Sequence, residues 1–193
     1  ETAAVGIVVF NADGQIEGGV AINNNESVDV AGANTDINPT DPSDFGTAAI
    51  AVVNYSNDGD PSTINGDITI SGNTDINSSE YGIVVANSSD YSYEGDGILG
   101  DITVASNGVI AVDDGVLVVN LDDIDGSVIL SGNTIESDED DGIDFGNLTP
   151  FSDVNGDVTF TDNTIDADDE DIKCTNIGDI GGSEPVECQI IAP

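Results

Sequence analysis

Arginine and histidine are absent from this chain, and its single base, Lys173, stands against 39 acidic residues for a formal net charge of −38. Without clustered Lys and Arg, nucleic acid is excluded as a partner, because phosphate neutralisation needs them. Anionic membrane surfaces are excluded for the same reason. Without histidine, neither a Ser-His-Asp nor a Cys-His nucleophilic site can be built. Tryptophan and methionine are also missing, and aromatics make up only 5% of residues. The two cysteines, Cys174 and Cys188, allow one pairing and lack metal-type spacing. They are expected to form a disulfide closing a C-terminal cap over 174–193. No apolar run approaches the ~20 residues of a membrane helix, so no membrane insertion is expected. No signal peptide is visible, and Glu1 reads as a mature N-terminus after cleavage. The expected location is extracellular or at the cell surface.

What the chain does have is a repeat. The stretch Gly66 to Asn87, GDITISGNTDINSSEYGIVVAN, holds two β-type runs, each followed by an asparagine. Gly66 leads to Asn73 as Gly18 leads to Asn25, Gly100 to Asn107, Gly126 to Asn133 and Gly156 to Asn163. A second asparagine closes each Gly-Ile-type run, at Asn11, Asn54, Asn87, Asn120, Asn147 and Asn176. Two interleaved asparagine columns at such spacing indicate a solenoid, in which each repeat needs its neighbours to bury a core. The 193 residues fit one domain. The 38% of hydrophobic residues fall in short Val/Ile runs, which a disordered acidic chain would lack.

Each coil reads as three strands. In GIDFGN, Ile143 and Phe145 point one way and Asp144 and Gly146 the other; in DIKCTN, Lys173 shares the Asp144 face. The Ile face is therefore inside. By transfer, Ile7, Val9, Ile50, Val52, Ile83, Val85, Val116 and Val118 are core, as are Val20/Ile22, Ile68/Ile70, Ile102/Val104, Val128/Leu130 and Val158/Phe160. The segment ADGQIEG reads as a loop, and residues 31–47, with their NPTDPSDFG content, as a surface insertion.

Repeats of the form ITISGNT followed by DGI…N resemble those of the pectate-lyase-like superfamily. The resemblance implies a right-handed parallel β-helix of about five to six coils with stacked asparagine ladders, Asn25, Asn73, Asn107, Asn133 and Asn163 forming one of them. Asparagine suits that turn because it tolerates the left-handed conformation and bonds its own kind one coil away. Lyases of that superfamily use an Arg or Lys base, often with calcium, and here only Lys173 is offered. Hydrolase members resembling polygalacturonases use Asn-Thr-Asp, an Asp pair, Gly-His-Gly and Arg-x-Lys. Asn73-Thr74-Asp75 and Asp113-Asp114 match two of these pieces, but the His and Arg pieces cannot exist here. A non-catalytic member without organic cofactor is expected.

The acidity has two explanations, adaptation to high salt or binding of Ca²⁺ or other cations through carboxylates. Ahead of each first-type strand lie Glu80, Asp113-Asp114, Asp140-Asp141 and Asp169-Glu170, which should stack coil on coil. Unit charges ~4.8 Å apart repel by about 0.9 kcal/mol in bulk water, so either screening or bound cations must offset them. Asp140 and Asp141 are the leading candidates for ligands.

Outward positions of the first-type strands form an apolar block, Val8, Phe10, Ala51, Val53, Val84, Ala86, Leu117 and Val119. Either the 31–47 insertion folds over it or another chain does. The chain opens on an apolar strand with no visible cap; if nothing precedes Glu1, the first coil is an open edge, and head-to-tail stacking into an oligomer or filament is expected. The function expected is thus a secreted, acidic structural solenoid that self-assembles in a saline or calcium-rich setting. A second expectation is a polysaccharide-binding or polysaccharide-degrading β-helix using Tyr55, Tyr91 and Tyr93. Of the sequons at Asn25, Asn54, Asn77, Asn87 and Asn147, only Asn77 lies outside the columns and reads as a glycan acceptor.

Overall fold

The computed structural model describes residues 5–32, 47–56, 62–88, 97–150, 152–180 and 189–190. Every strand pairing among them is parallel, as stacking of like coils requires. The first sheet has six strands, Val5–Ala12, Ala48–Tyr55, Tyr81–Ser88, Val116–Asn120, Ile143–Asn147 and Ile172–Asn176, in chain order along the axis. The second sheet stacks Val20–Asn23, Ile68–Ser71, Ile102–Ala105, Val128–Ser131, Val158–Thr161 and Gln189–Ile190. The third stacks Val28–Val30, Ile76–Ser78, Gly108–Ala111, Thr134–Ser137 and Thr164–Ala167. The chain is an all-β parallel β-helix.

Register follows the sequence repeat. Ile7, Ile50, Ile83, Val116, Ile143 and Ile172 lie in one file, and Val20, Ile68, Ile102, Val128 and Val158 in another. β-Branched residues suit these files because their stiff side chains pack against copies of themselves one strand away. The files merge into one continuous core, with Phe145 and Phe160 in edge-to-face contact at 6.3 Å near its C-terminal end.

The coil has one more corner than the sequence suggests. The segment read as a loop after the first-sheet strand carries a short strand in most coils, Gln15–Ile16, Thr63–Ile64, Gly97–Ile98, Asp153–Val154 and Asp179–Ile180, with Ile124 bridging in place. Ile16, Ile64, Ile98, Ile124, Val154 and Ile180 thereby form a further file in the core. A lone apolar residue between acidic and glycine neighbours gives no periodicity, which is why the pattern reads as a loop.

Both asparagine ladders form. Each Nδ2 donates to the Oδ1 one coil on, from Asn11 through Asn54, Asn87, Asn120 and Asn147 to Asn176. Asn25, Asn73, Asn107, Asn133 and Asn163 do the same, and each Oδ1 also accepts the backbone N–H of the asparagine before it. The left-handed residue, however, is not the ladder asparagine. It is the residue before it, Asn24, Gly72, Ser106, Gly132 or Asp162, with φ between 56° and 66°. That neighbour makes the turn, and the asparagine is kept for its amide, which carries donor and acceptor on separate atoms and so can accept from one coil and donate to the next.

Residues 33–46 of the expected insertion lie outside the described residues; its last residue, Thr47, is fully buried. The Cys174–Cys188 pairing depends on Cys188, which also lies outside them.

Candidate metal centre

The corner that leads into each first-sheet strand is built on glycine. A Cβ on Gly115 would meet Ile135 and, at 2.7 Å, the Gly142 carbonyl oxygen; one on Gly142 would meet Ile165 and, at 2.8 Å, the Asp171 carbonyl oxygen. Coils therefore approach closely here, and the residues just before the glycines are brought over one another. Gly115 N–H donates to the Asp141 carbonyl and Gly142 N–H to that of Glu170, fixing Asp114, Asp141 and Glu170 as one file.

Of the acids expected to hold cations, Asp114, Asp140 and Asp141 converge, with one carboxylate oxygen from each lying within 4.8 Å of the others. Asp141 is fully buried and Asp114 only 6% exposed, while Asp140 is half-buried and opens towards solvent. Asp141 is well partnered. Its Oδ1 accepts the Glu170 N–H at 3.1 Å, and its Oδ2 takes the Lys173 ammonium at 2.9 Å. Lys173 also lies 3.2 Å from Asp144 Oδ2. Asp114 differs: its Oδ1 is buried with no hydrogen-bond partner. Burial first, then the charges of Asp144, Asp140 and Asp141, push its carboxyl up to about 7, with Lys173 opposing. Burial likewise raises Asp144 against the pull of Lys173. The same contacts push the Lys173 ammonium up from its ordinary value, led by its bond to Asp141, so it stays charged.

The remaining expected ligands are not part of this group. Glu80 is buried, but its carboxylate accepts the Thr47 N–H. Asp113 contributes its carbonyl to Ser137 Oγ, and Asp169 and Glu170 are exposed. The sequence reading treats Lys173 as isolated and leaves Asp144 out, yet both line this site. Asp144 and Lys173 are register partners on adjacent first-sheet strands, so comparison of GIDFGN with DIKCTN carried the signal.

The apolar block needs correction. Ala51, Val53, Val84, Leu117 and Val119 are buried in a second cluster outside the first sheet, with Ala86, Tyr55, Tyr81 and Leu148 packed against it. Only Val8 and Phe10 are exposed, at 51% and 46%. Leu121 and Leu148, from the turns that follow the strands, cover part of this face, and alternation within the strands gives no hint of them. Asn77 is half-buried on the third sheet, its amide donating to Asp75 Oδ1 at 2.9 Å. Tyr55 stacks on Phe10 at 6.4 Å between centroids; Tyr91 and Tyr93 lie outside the described residues.

No family model, curated protein or solved structure matches the chain.

Proposed function

We propose that this chain is a non-catalytic, extracellular structural solenoid that assembles end to end with copies of itself in a saline medium. The observation that carries the reading is the edge formed by Val5–Ala12. Among the described residues no strand pairs with its outer side, and its outward Val8 and Phe10 are exposed whereas their register partners Ala51 and Val53 are buried. The inward Ile7 and Val9 are only half-buried, although the equivalent Ile50 and Val52 are fully so. An unpaired parallel edge with a half-covered core is a template for a further coil. A second copy applied through its opposite end makes a heterologous contact that propagates. Charge supports the same environment: at −38, such assembly requires screening, which high ionic strength supplies.

Within this reading the chain is placed beside the pectate-lyase-like β-helices on its coil pattern alone, without their chemistry. The polysaccharide alternative is less favoured, since Tyr55 is engaged with Phe10 instead of lining an open groove. Electron microscopy and sedimentation at ~1 M NaCl, where the Debye length is about 3 Å, test the assembly. Rods or filaments are expected, and Val8→Lys with Phe10→Glu should disperse them. A chain that stays monomeric at every ionic strength and concentration refutes the reading.

A further inference from the structure

We infer that Asp114, Asp140 and Asp141 hold one calcium-like divalent cation between two coils, with Lys173 as a built-in counter-ion that leaves room for only one. The inference stands apart from end-to-end assembly, since a lone molecule contains the whole site.

The cluster of acids alone would not carry this, because the chain is acidic everywhere. The carrying observation is Asp114, a side chain more than nine-tenths buried whose Oδ1 has no hydrogen-bond partner and whose carboxylate converges with those of Asp140 and Asp141. Buried polar atoms are almost always satisfied, and a buried anion without a donor is the costliest exception. Protein donors are already committed at this corner. The Glu170 N–H serves Asp141, Lys173 serves Asp141 and Asp144, and the glycine N–H groups serve backbone carbonyls. What remains for Asp114 is a ligand from outside.

Charge and chemistry define its class. Asp114, Asp140, Asp141 and Asp144 would bring four negative charges when ionised, and Lys173 returns one. A divalent ion reduces the remaining three to one, whereas an anion or a neutral sugar hydroxyl would leave the repulsion in place. All ligand atoms are oxygens, which selects a hard cation over zinc or copper. The oxygens lie within 4.8 Å of one another, a spread that a calcium sphere with bonds of about 2.4 Å spans, wider than the ~4.2 Å across a magnesium ion. Asp140, half-buried, gives the ion its way in from solvent and leaves positions for water.

Tyr81 provides a local reporter. It occupies the position of Asp114 one coil earlier, as Ile83 pairs with Val116 and Gly82 N–H donates to the Asp114 carbonyl. With no tryptophan in the chain, tyrosine-sensitised terbium emission reads ions close to a tyrosine. The full chain is titrated with Tb³⁺ in ~1 M NaCl, which screens diffuse binding to the acidic surface. A saturable phase of one equivalent is expected, displaced by Ca²⁺ well before Mg²⁺. Asp114→Asn should weaken it at least ~10-fold, and Asp140→Asn should weaken it too, in case the first variant folds poorly. Tyr81→Phe should remove most of the emission while leaving calorimetric Ca²⁺ affinity unchanged, and Asp29→Asn, at an exposed position of the strand Val28–Val30, should change nothing. No saturable phase, affinity unaltered in both aspartate variants, emission surviving Tyr81→Phe, or equal displacement by Mg²⁺ would each overturn the assignment.

Discussion

Replacing Asp114 by Asn should stabilise the metal-free protein, and by an amount that depends on pH in a defined direction. The folded carboxyl titrates at about 7 against 3.8 for the ordinary group, because it is buried, lacks a partner on Oδ1 and faces Asp140, Asp141 and Asp144 with only Lys173 opposing. A raised folded pKa means that the native state holds its proton where the unfolded chain has released it. The group therefore costs nothing below about pH 4, and its cost grows as pH rises through the folded value, levelling off above about pH 7. A difference of about 3 units at about 1.36 kcal/mol each puts the full effect at roughly 4 kcal/mol. Asparagine has nearly the same shape and no charge, so it removes that cost. The other carboxylates titrate over the same range, so the informative quantity is the difference between the two proteins and not either curve. Denaturant unfolding in chelator, at constant ~1 M salt, from about pH 4 to about pH 8 measures it. The difference should be near zero at the acid end and grow to several kcal/mol in favour of Asp114→Asn at the alkaline end. A flat difference, or a variant that is less stable at about pH 8, refutes the account of this carboxylate.

Other perturbations probe the scaffold that creates the corner. Asn107→Ala removes the acceptor for the Asn73 N–H and amide and the donor to Ile70 O and Asn133 Oδ1, all buried; about 3–4 kcal/mol should be lost, read as a melting temperature lower by roughly 10 °C. Gly115→Ala drives a methyl group towards Ile135 and the Gly142 carbonyl and should cost about 1–3 kcal/mol, with loss of the terbium phase as a second readout. Ser106 sits at φ 56° without the tolerance of Asn or Gly, so Ser106→Gly should raise stability by about 0.5–1 kcal/mol in the same unfolding assay. Lowering salt from ~1 M to ~0.01 M extends the Debye length from about 3 Å to about 30 Å, and the melting temperature in chelator should fall steeply; an unchanged value would show that the charge files are compensated within the chain.

In-register stacking explains both what the sequence displayed and what it hid. Once Asn73, Asn107, Asn133 and Asn163 are recognised as equivalent, every inward isoleucine is assigned by counting, since pairing in the sheets keeps that count. The same logic places Asp114, Asp141 and Glu170 in file and predicts their mutual repulsion. It does not say which member escapes repulsion by finding a donor, because donors at this corner come from backbone groups and from Lys173, a different column of the coil. Nor does it show how deep a corner lies, since burial of Asp114 and Asp141 depends on how closely the glycines beside them let the coils approach. The one base of the chain sits beside the most deeply buried of these acids, and that is where it has most effect. An ion pair with both partners on the open surface would be screened away, whereas Lys173, itself part-exposed, is paired with the fully buried Asp141, where screening is weaker. It neutralises one carboxylate's worth of charge and leaves Asp114 uncompensated. The geometry of a repeating solenoid brings like charges together by construction, so any coil that keeps acids in this file needs a counter-charge at each step. Lys173 supplies one such step, and a bound cation between Asp114 and its neighbours is the simplest supply for the next.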